Sequence, residues 1–359
     1  MRFRIVDKFI VRKFISAYFF VVAILLAVIG VIQITEKNEK IIKHNLSFMD
    51  MTIYMLDFFP YVGNMITPIT TFIAVVFITA KMASHSEIIA LLSSGISFRR
   101  LMLSYLMGGL IIALLNFYLT GWLIPNSNKD RIAFEIQYFE NPYHFSDRDI
   151  HIKVGPESYF YLESYNNQSK IGYKFTLETI YDHMLHEKLS SQRIEWKEET
   201  QSWELNTWEK RTFDGLSETF SKGKFLDTVL NITPRDFEND WRLFEMLTIN
   251  ELNEHIKLLK SRGADDVNIY EVEKYTRYAS PYAVVLLTFI GLFVSARKAR
   301  GGTGFQIALG FLISFIYILF FWFSKTLAEA GGMHPAFAIW VPNIIFSVIG
   351  FIIYKTVPR

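Results

Sequence analysis

Lys81-Met-Ala-Ser-His-Ser-Glu-Ile-Ile-Ala-Leu-Leu-Ser-Ser-Gly-Ile-Ser-Phe-Arg-Arg-Leu101 is a short, mostly polar interruption between two long apolar runs. Ser84 and Glu87 have the S-x-x-E spacing of a capping box, in which each side chain satisfies a backbone donor of the other residue. Ile88, Leu91 and Leu92 fall at i, i+3 and i+4 and make one apolar stripe. Gly95 supplies a left-handed stop. The spacing predicts a helix of about three turns over 84–95. Flanked by Lys81, Arg99 and Arg100 and wedged between two apolar runs, such a helix must lie on a membrane surface or dock a partner.

The apolar runs on either side decide the class. The chain is 51% hydrophobic and 16% aromatic over 359 residues. Five stretches reach the ~18 mostly apolar residues that a membrane span needs, and a shorter one approaches it. They are Phe14 to Ile34, about Phe58 to Ala80, Leu101 to Ile124, Tyr278 to Ala296, Gly304 to Leu327 and Phe337 to Tyr354. Pro60, Asn64 and Pro68 predict an irregular start to the second. The fold class is therefore an α-helical polytopic membrane protein of six transmembrane helices, three before and three after a polar insert. Arg2 to Lys13 scatters Ile5, Phe9 and Ile10 among basic residues and predicts a short interfacial helix ahead of the first span.

Lysine and arginine in the short loops set the orientation. Thirteen lie on one side: Arg2, Arg4, Lys8, Arg12 and Lys13; Lys81, Arg99 and Arg100; Arg297, Lys298 and Arg300; and Lys355 and Arg359. The opposite short loops hold Lys37, Lys40, Lys43 and Lys325, interleaved with Glu36, Glu39, Asp50, Asp57 and Glu329. Both termini and the opening helix are expected in the cytoplasm and the insert outside. The insert is acidic: residues 125–277 carry 20 basic and 28 acidic side chains. That argues against nucleic acid as a ligand, which calls for a basic patch. There is no cysteine, which removes disulfides, thiolate metal sites and cysteine nucleophiles.

From Ile150 the apolar pattern switches to period two. Tyr159 to Tyr165 and Tyr173 to Tyr181 read as strands, Arg193 to Lys197 and Ser202 to Trp208 as a hairpin around Glu199-Thr200. Ser217 to Phe220 and Phe225 to Ile232 read as a second hairpin around Lys222-Gly223. Short strands at regular spacing predict an all-β sandwich or jelly roll. Thr248 and Glu251 then form another capping box, with Leu252, Ile256 and Leu259 as its stripe and Gly263 as its stop. The expected division is a membrane half over 1–124, a β domain over 125–247, a helical connector over 248–277 and a second membrane half over 278–359.

Catalytic patterns are absent: there is no G-x-x-x-x-G-K-[ST], no H-E-x-x-H and no G-x-S-x-G. Gly301-Gly302-Thr303-Gly304 lacks the preceding strand of a nucleotide fingerprint and reads as a tight turn. His183 and His186, in a strand-rich context, read as surface histidines rather than a metal pair.

Three plus three spans around a β-rich insert, with Ser86-Glu-Ile-Ile-Ala-Leu-Leu-Ser-Ser-Gly-Ile-Ser97 between spans two and three, resembles the lipopolysaccharide-export permease family LptF/LptG (YjgP/YjgQ). Further matches are Val6-Asp-Lys-Phe-Ile-Val-Arg-Lys13, Trp122-Leu-Ile-Pro-Asn126, Ile232-Thr-Pro-Arg-Asp-Phe237, Leu252-Asn-Glu-His-Ile-Lys-Leu-Leu-Lys-Ser-Arg-Gly263 and Trp340-Val-Pro-Asn343. The opening Asp-Lys-Phe-Ile and the closing Lys-Ser-Arg-Gly look more like the LptG branch. The resemblance implies a permease subunit of an ATP-driven transporter in the bacterial inner membrane. It would work with a sister permease (LptF-like), a cytoplasmic ATPase dimer (LptB-like) and a periplasmic bridge (LptC-like, LptA-like), passing lipopolysaccharide outward along a periplasmic jellyroll. No cofactor is expected in this chain; ATP and Mg would be bound by the ATPase.

The same resemblance implies site residues. Ser84, Glu87, Ile88, Leu91, Leu92 and Gly95 would form the coupling helix seated on the ATPase, or simply a helix resting on lipid headgroups. Lys37, Lys40 and Lys43 would meet substrate phosphates, or belong to a charge-balanced loop. Gln33 departs from the family's basic character there. Phe19, Phe20, Ile24, Phe311, Phe315 and Phe320 would line an acyl-chain cavity. Phe160, Leu162, Phe175, Leu177 and Trp203 would be either a periplasmic slide or a packed core. Asn116 and Lys325, polar groups in or near apolar spans, are candidates for a polar cavity. A non-transporting membrane scaffold with a periplasmic binding module accounts for the spans and the insert, but leaves the capped helix without a role.

Overall fold

The computed structural model describes residues 5–139, 148–215, 217–230, 232–234, 242–262, 264, 267–296 and 302–356. The chain divides into a helical unit (Met1–Phe139, Phe244–Asn253, Asn268–Arg359) and a second unit (Glu140–Leu243, Glu254–Val267).

Among the described residues the helical unit carries six helical segments long and apolar enough to cross a membrane. Helix α1 (Ile5–Lys43) is one uninterrupted element of 39 residues, about 58 Å at 1.5 Å per residue. The short interfacial helix expected before the first span is therefore the first turns of α1. Even Gly30 does not break it; the glycine lets the Phe59 ring approach, which would lie 3.1 Å from an added Cβ. The second apolar run divides instead. Helix α2 (Phe48–Met65) and α3 (Thr67–Ser84) are separated at Ile66, with Pro68 in the first turn of α3. The spanning element is α3, starting nine residues later than the sequence suggests. Ser47 and Asp50 close a full capping box on α2.

Helix α4 (Glu87–Ser93) leads to a rod of 42 residues, Phe98–Phe139. The rod consists of α5 (Phe98–Tyr118), a π-turn (Leu119–Leu123), α6 (Ile124–Phe134) and a second π-turn (Glu135–Phe139). Pro125 does not end it: it follows directly on the π-turn, where the Ile124 N–H reaches back five residues to the Leu119 carbonyl. The third span thus runs on to Phe139, beyond the expected boundary at Ile124. After a single turn, α7 (Leu243–Met246), come α8 (Ile249–Arg262), α9 (Val267–Ser295), α10 (Gly302–Glu329) and α11 (Pro335–Thr356). Because α10 already starts at Gly302, the glycine run opens a helix rather than forming a turn. Arg297, Lys298 and Arg300 lie outside the described residues.

One core joins α1, α3, α4, α5 and α9 around Phe14, Val75, Met82, Tyr105 and Leu292; another joins α3, α9, α10 and α11 around Phe72, Leu287 and Tyr317. Small residues allow the close crossings: a Cβ on Gly291 would sit 3.2 Å from Val75, and one on Gly310 3.1 Å from Phe72.

The second unit contains one six-stranded antiparallel sheet: β1 (Arg148–Lys153), β2 (Ser158–Asn166), β3 (Ile171–Tyr181), β4 (Met184–Lys197), β5 (Ser202–Asp214) and β6 (Ser217–Thr228). The order β1-β2-β3-β4-β5-β6 is a meander. The inserted β domain is there, but its described strands form a single sheet, where a sandwich or jelly roll would place them in two. The β3–β4 turn is Asp182-His183 with both residues at positive φ (50° and 61°), as a two-residue type I′ hairpin requires. Lys222-Gly223 is not a hairpin: β6 runs straight through it. The reversal sits at Gly215, φ +58°, and Gly223 lies opposite Trp208, whose indole would be 2.7 Å from any added Cβ. The His186 ring stacks on Tyr181 with centroids 3.3 Å apart.

Thr248 and Glu251 form the predicted box on α8: the Thr248 N–H donates to the Glu251 carboxylate at 2.8 Å and the Thr248 hydroxyl does the same. Leu252, Ile256 and Leu259 are buried. The amide and hydroxyl of Thr248 hold the Glu251 carboxyl below its ordinary value. Its contribution to stability is therefore complete above the unfolded value of about 4.3 and is lost as pH falls through the lower folded one. Amide exchange in the first turn of α8 should accelerate on acidification through that window, and Glu251→Gln should flatten the dependence. Thr248→Ala should weaken the helix start by about 0.5–2 kcal/mol. An exchange profile indifferent to either change would show that the cap carries no weight.

Candidate functional site

Helix α4 is shorter than its sequence suggests and is held differently. Helix α3 continues through Ser84, so the Ser84 hydroxyl donates to the Lys81 carbonyl at 2.8 Å instead of capping a new helix. The N-cap is Ser86, in the left-handed region at φ 60°, with no side-chain cap. Glu87 is released from capping and pairs with Lys13 of α1 at 3.3 Å. At the other end Gly95 (φ +85°) does provide the stop. Its N–H donates to Leu92 at 3.1 Å and that of Ile96 to Leu91 at 3.2 Å, a Schellman motif.

The expected stripe does not face outward. Ile88 is buried, and Leu91 and Leu92 pack half-buried against the core shared by α1, α3 and α5. The stripe thus packs α4 onto its own bundle. What α4 presents outward is His85, Ser86, Ile89, Ala90, Ser93 and Ser94, with Ile89 54% exposed. Beneath α4, the buried Asp7 carboxylate ties the start of α1 to α5. It accepts from the Arg100 guanidinium and, at 2.7 Å, from the Ser104 hydroxyl.

At the far end of α1 the three lysines separate. Lys40 donates to the carbonyl of Phe139, and Lys37 lies 5.9 Å above the Phe139 ring. Both cations meet the end of the rod, where orphan carbonyls and the helix dipole favour positive charge. Lys43 is exposed. Gln33 donates to the Tyr54 hydroxyl at 2.8 Å, and Tyr54 donates to Glu135 at 2.9 Å. Glu135 belongs to a cluster of which only its i,i+4 spacing from Arg131 is visible in the sequence. Arg131, 2% exposed, donates to Glu135 at 3.1 Å, to Glu245 at 2.7 Å and to Asn128 at 2.9 Å. Its guanidinium also stacks 4.2 Å over Tyr61. Arg277 acts likewise, donating to Glu273 and to the Leu247 and Phe244 carbonyls at 2.7–2.8 Å. Two buried guanidiniums thus clamp residues 244–247.

Phe19, Phe20, Ile24, Phe311 and Phe315 are exposed, each about half or more, and Phe320 is half-buried. They belong to α1 and α10, which both pack on α3. Phe160, Leu162, Phe175 and Trp203 are buried and Leu177 half-buried in the core of the sheet unit; the Trp203 indole donates to the Ile232 carbonyl at 2.8 Å. Asn116 is buried and donates to Asn64 at 2.7 Å. Lys325 lies 3.6 Å from Glu329 and lines a cavity in the helical unit.

A family model described as lipopolysaccharide export system permease LptF/LptG matches residues 8–356. The chain belongs to that family. The match spans both membrane halves and the inserted sheet, and it covers LptF and LptG alike without separating them. A comparison with curated proteins found no match. As an LptF/LptG permease the chain is a multi-pass membrane component of lipopolysaccharide transport, not a catalytic subunit. Among the described residues no group of histidine, aspartate or glutamate is arranged to hold a metal ion.

Proposed function

We propose that this permease is one subunit of an ATP-driven transporter that takes lipopolysaccharide from the inner membrane and hands it to a periplasmic bridge. The observation that carries the reading is the full-length family match combined with α4, a helix fixed to the bundle on one side and bare on the other. In this reading both termini and α4 are cytoplasmic, by the distribution of lysine and arginine. A separate ATPase dimer holds ATP and Mg and seats on α4 through His85, Ile89, Ala90 and Ser93. A sister permease closes an acyl-chain cavity against the exposed phenylalanines of α1 and α10. Lys43, with Lys37 and Lys40 after release from Phe139, meets substrate phosphates. The inner face of the sheet (Phe160, Leu162, Phe175, Leu177, Trp203) guides acyl chains once it opens.

Glu87 is the joint between α4 and α1. Its pair with Lys13 is about 40% exposed on both sides, so its loss costs at most about 1 kcal/mol and Glu87→Ala should stay folded. Ile89→Glu places a charge in the middle of the proposed seat without touching the core. Affinity purification from native membranes should recover an ATPase with the wild type, less with Glu87→Ala and none with Ile89→Glu, at unchanged melting temperature. Equal recovery of the ATPase from Ile89→Glu would refute the seat. A wild type that recovers no ATPase would instead favour a scaffold.

A further inference from the structure

A cavity of about 510 Å³ lies within the helical unit, lined by no residue of α1 or α4; on α10 its lining reaches Trp322, which is 54% exposed. Two irregular stretches of backbone and one proline-bearing helix frame it. The α2–α3 break contributes Met65, Ile66 and Pro68, the π-turn contributes Thr120, and α9 contributes Ser280 beside Pro281. At membrane depth irregular backbone persists where it is enclosed by protein or lines a cavity, and interrupted helices gather around binding sites.

The lining has two characters. Ile66, Ile69, Ile124, Ile318 and Phe321 supply apolar surface. Among the polar groups Arg277 is neutralised by Glu273 at 2.8 Å, and Glu245 by Arg131 at 2.7 Å. Lys325 is different: its carboxylate partner Glu329 stands off at 3.6 Å, and its ammonium lies 5.8 Å from the Trp322 ring centroid. An apolar chamber with one weakly engaged cation fits an acyl chain joined to a phosphate, which lysine binds as a point charge. The volume falls within the roughly 300–1,000 Å³ of small-molecule sites. It takes one chain and a small head, not a whole multi-chain glycolipid.

We propose that this cavity holds a single acyl chain of a phosphate-bearing lipid, with the phosphate at Lys325. Either a bilayer glycerophospholipid or one arm of the transported glycolipid has that chemistry, and the test separates them. The intact complex is purified in mild detergent and weighed by native mass spectrometry after addition of phosphatidylglycerol or, separately, lipopolysaccharide. Ser280→Trp fills the chamber, and Lys325→Gln removes the cation. The wild type should retain one lipid per chain. Ser280→Trp should abolish retention, and Lys325→Gln should weaken it about tenfold, the size of one charge-assisted hydrogen bond. Loss confined to the phosphatidylglycerol arm identifies a bilayer lipid, and loss confined to the other arm identifies substrate. Benzoylphenylalanine introduced at Ile318 in native membranes should form a lipid adduct without any filling substitution. Retention in both arms that ignores both variants, or the absence of a lipid adduct at Ile318, would overturn the site. The phosphatidylglycerol arm requires no ATPase and no transport, so its failure is distinct from failure of the proposed function.

Discussion

Arg131→Leu is expected to destabilise the helical unit by about 3–5 kcal/mol, the typical result of removing one partner from a buried ion pair. The guanidinium is 2% exposed and serves Glu135, Glu245 and Asn128 at once. Without it two carboxylates would be left in surroundings that exclude water, and the 244–247 segment would lose one of its two clamps. Replacing a whole buried ion pair, rather than one partner, is often neutral, which assigns the loss to the stranded acids and not to the leucine. Arg131→Leu combined with Glu135→Gln and Glu245→Gln should therefore recover most of the loss. Thermal unfolding in detergent would show a large drop for the single variant and a smaller one for the triple. A triple variant no better than the single one would mean that packing of Arg131 on Tyr61, not charge, is what matters.

Gly108→Val should be nearly as damaging, for a steric reason. A Cβ at Gly108 would lie 2.4 Å from the Phe14 ring, and Phe14 is fully buried, so the ring has no room to yield. Overpacking of this kind costs about 1–3 kcal/mol and sometimes more. The contact belongs to the same α1–α5 seam as the Asp7–Arg100–Ser104 cluster, one turn further along the same face of α5. Separating the helices at Gly108 would therefore strain that buried carboxylate as well. Phe14→Ala should partly rescue Gly108→Val, and the resulting double-mutant cycle should give a clear favourable coupling. Additive losses would place the damage elsewhere.

The membrane spans and the β insert were legible because apolar length and period-two alternation are local signals. Boundaries were less so. Two similar patterns had opposite outcomes: T-x-x-E at Thr248 forms its box, whereas S-x-x-E at Ser84 does not. The single turn of α7 ends at Met246, and the bend at Leu247 leaves Thr248 outside any helix, which frees the cap geometry. Ser84 is itself the last residue of α3 and already committed to the turn behind it. Glycine was ambiguous in the same way. Gly215 reverses the chain at positive φ, while Gly223 makes room for an indole in a straight strand, and a single sequence assigns neither role. Asn128, Arg131 and Glu135 are spaced for one helix face, but Glu245, 114 positions from Arg131, left no local signal. The stripe on α4 showed which residues cohere, but not whether they turn toward the bundle or away from it.

The central claim is that α4 transmits the work of an ATPase to lipopolysaccharide. The most direct measurement is ATP-dependent release of lipopolysaccharide from proteoliposomes containing the assembled complex to a soluble acceptor. Release should require ATP with the wild type and should vanish with Ile89→Glu while the spans remain folded. Release by Ile89→Glu at the wild-type rate, or release that continues without ATP, would contradict it.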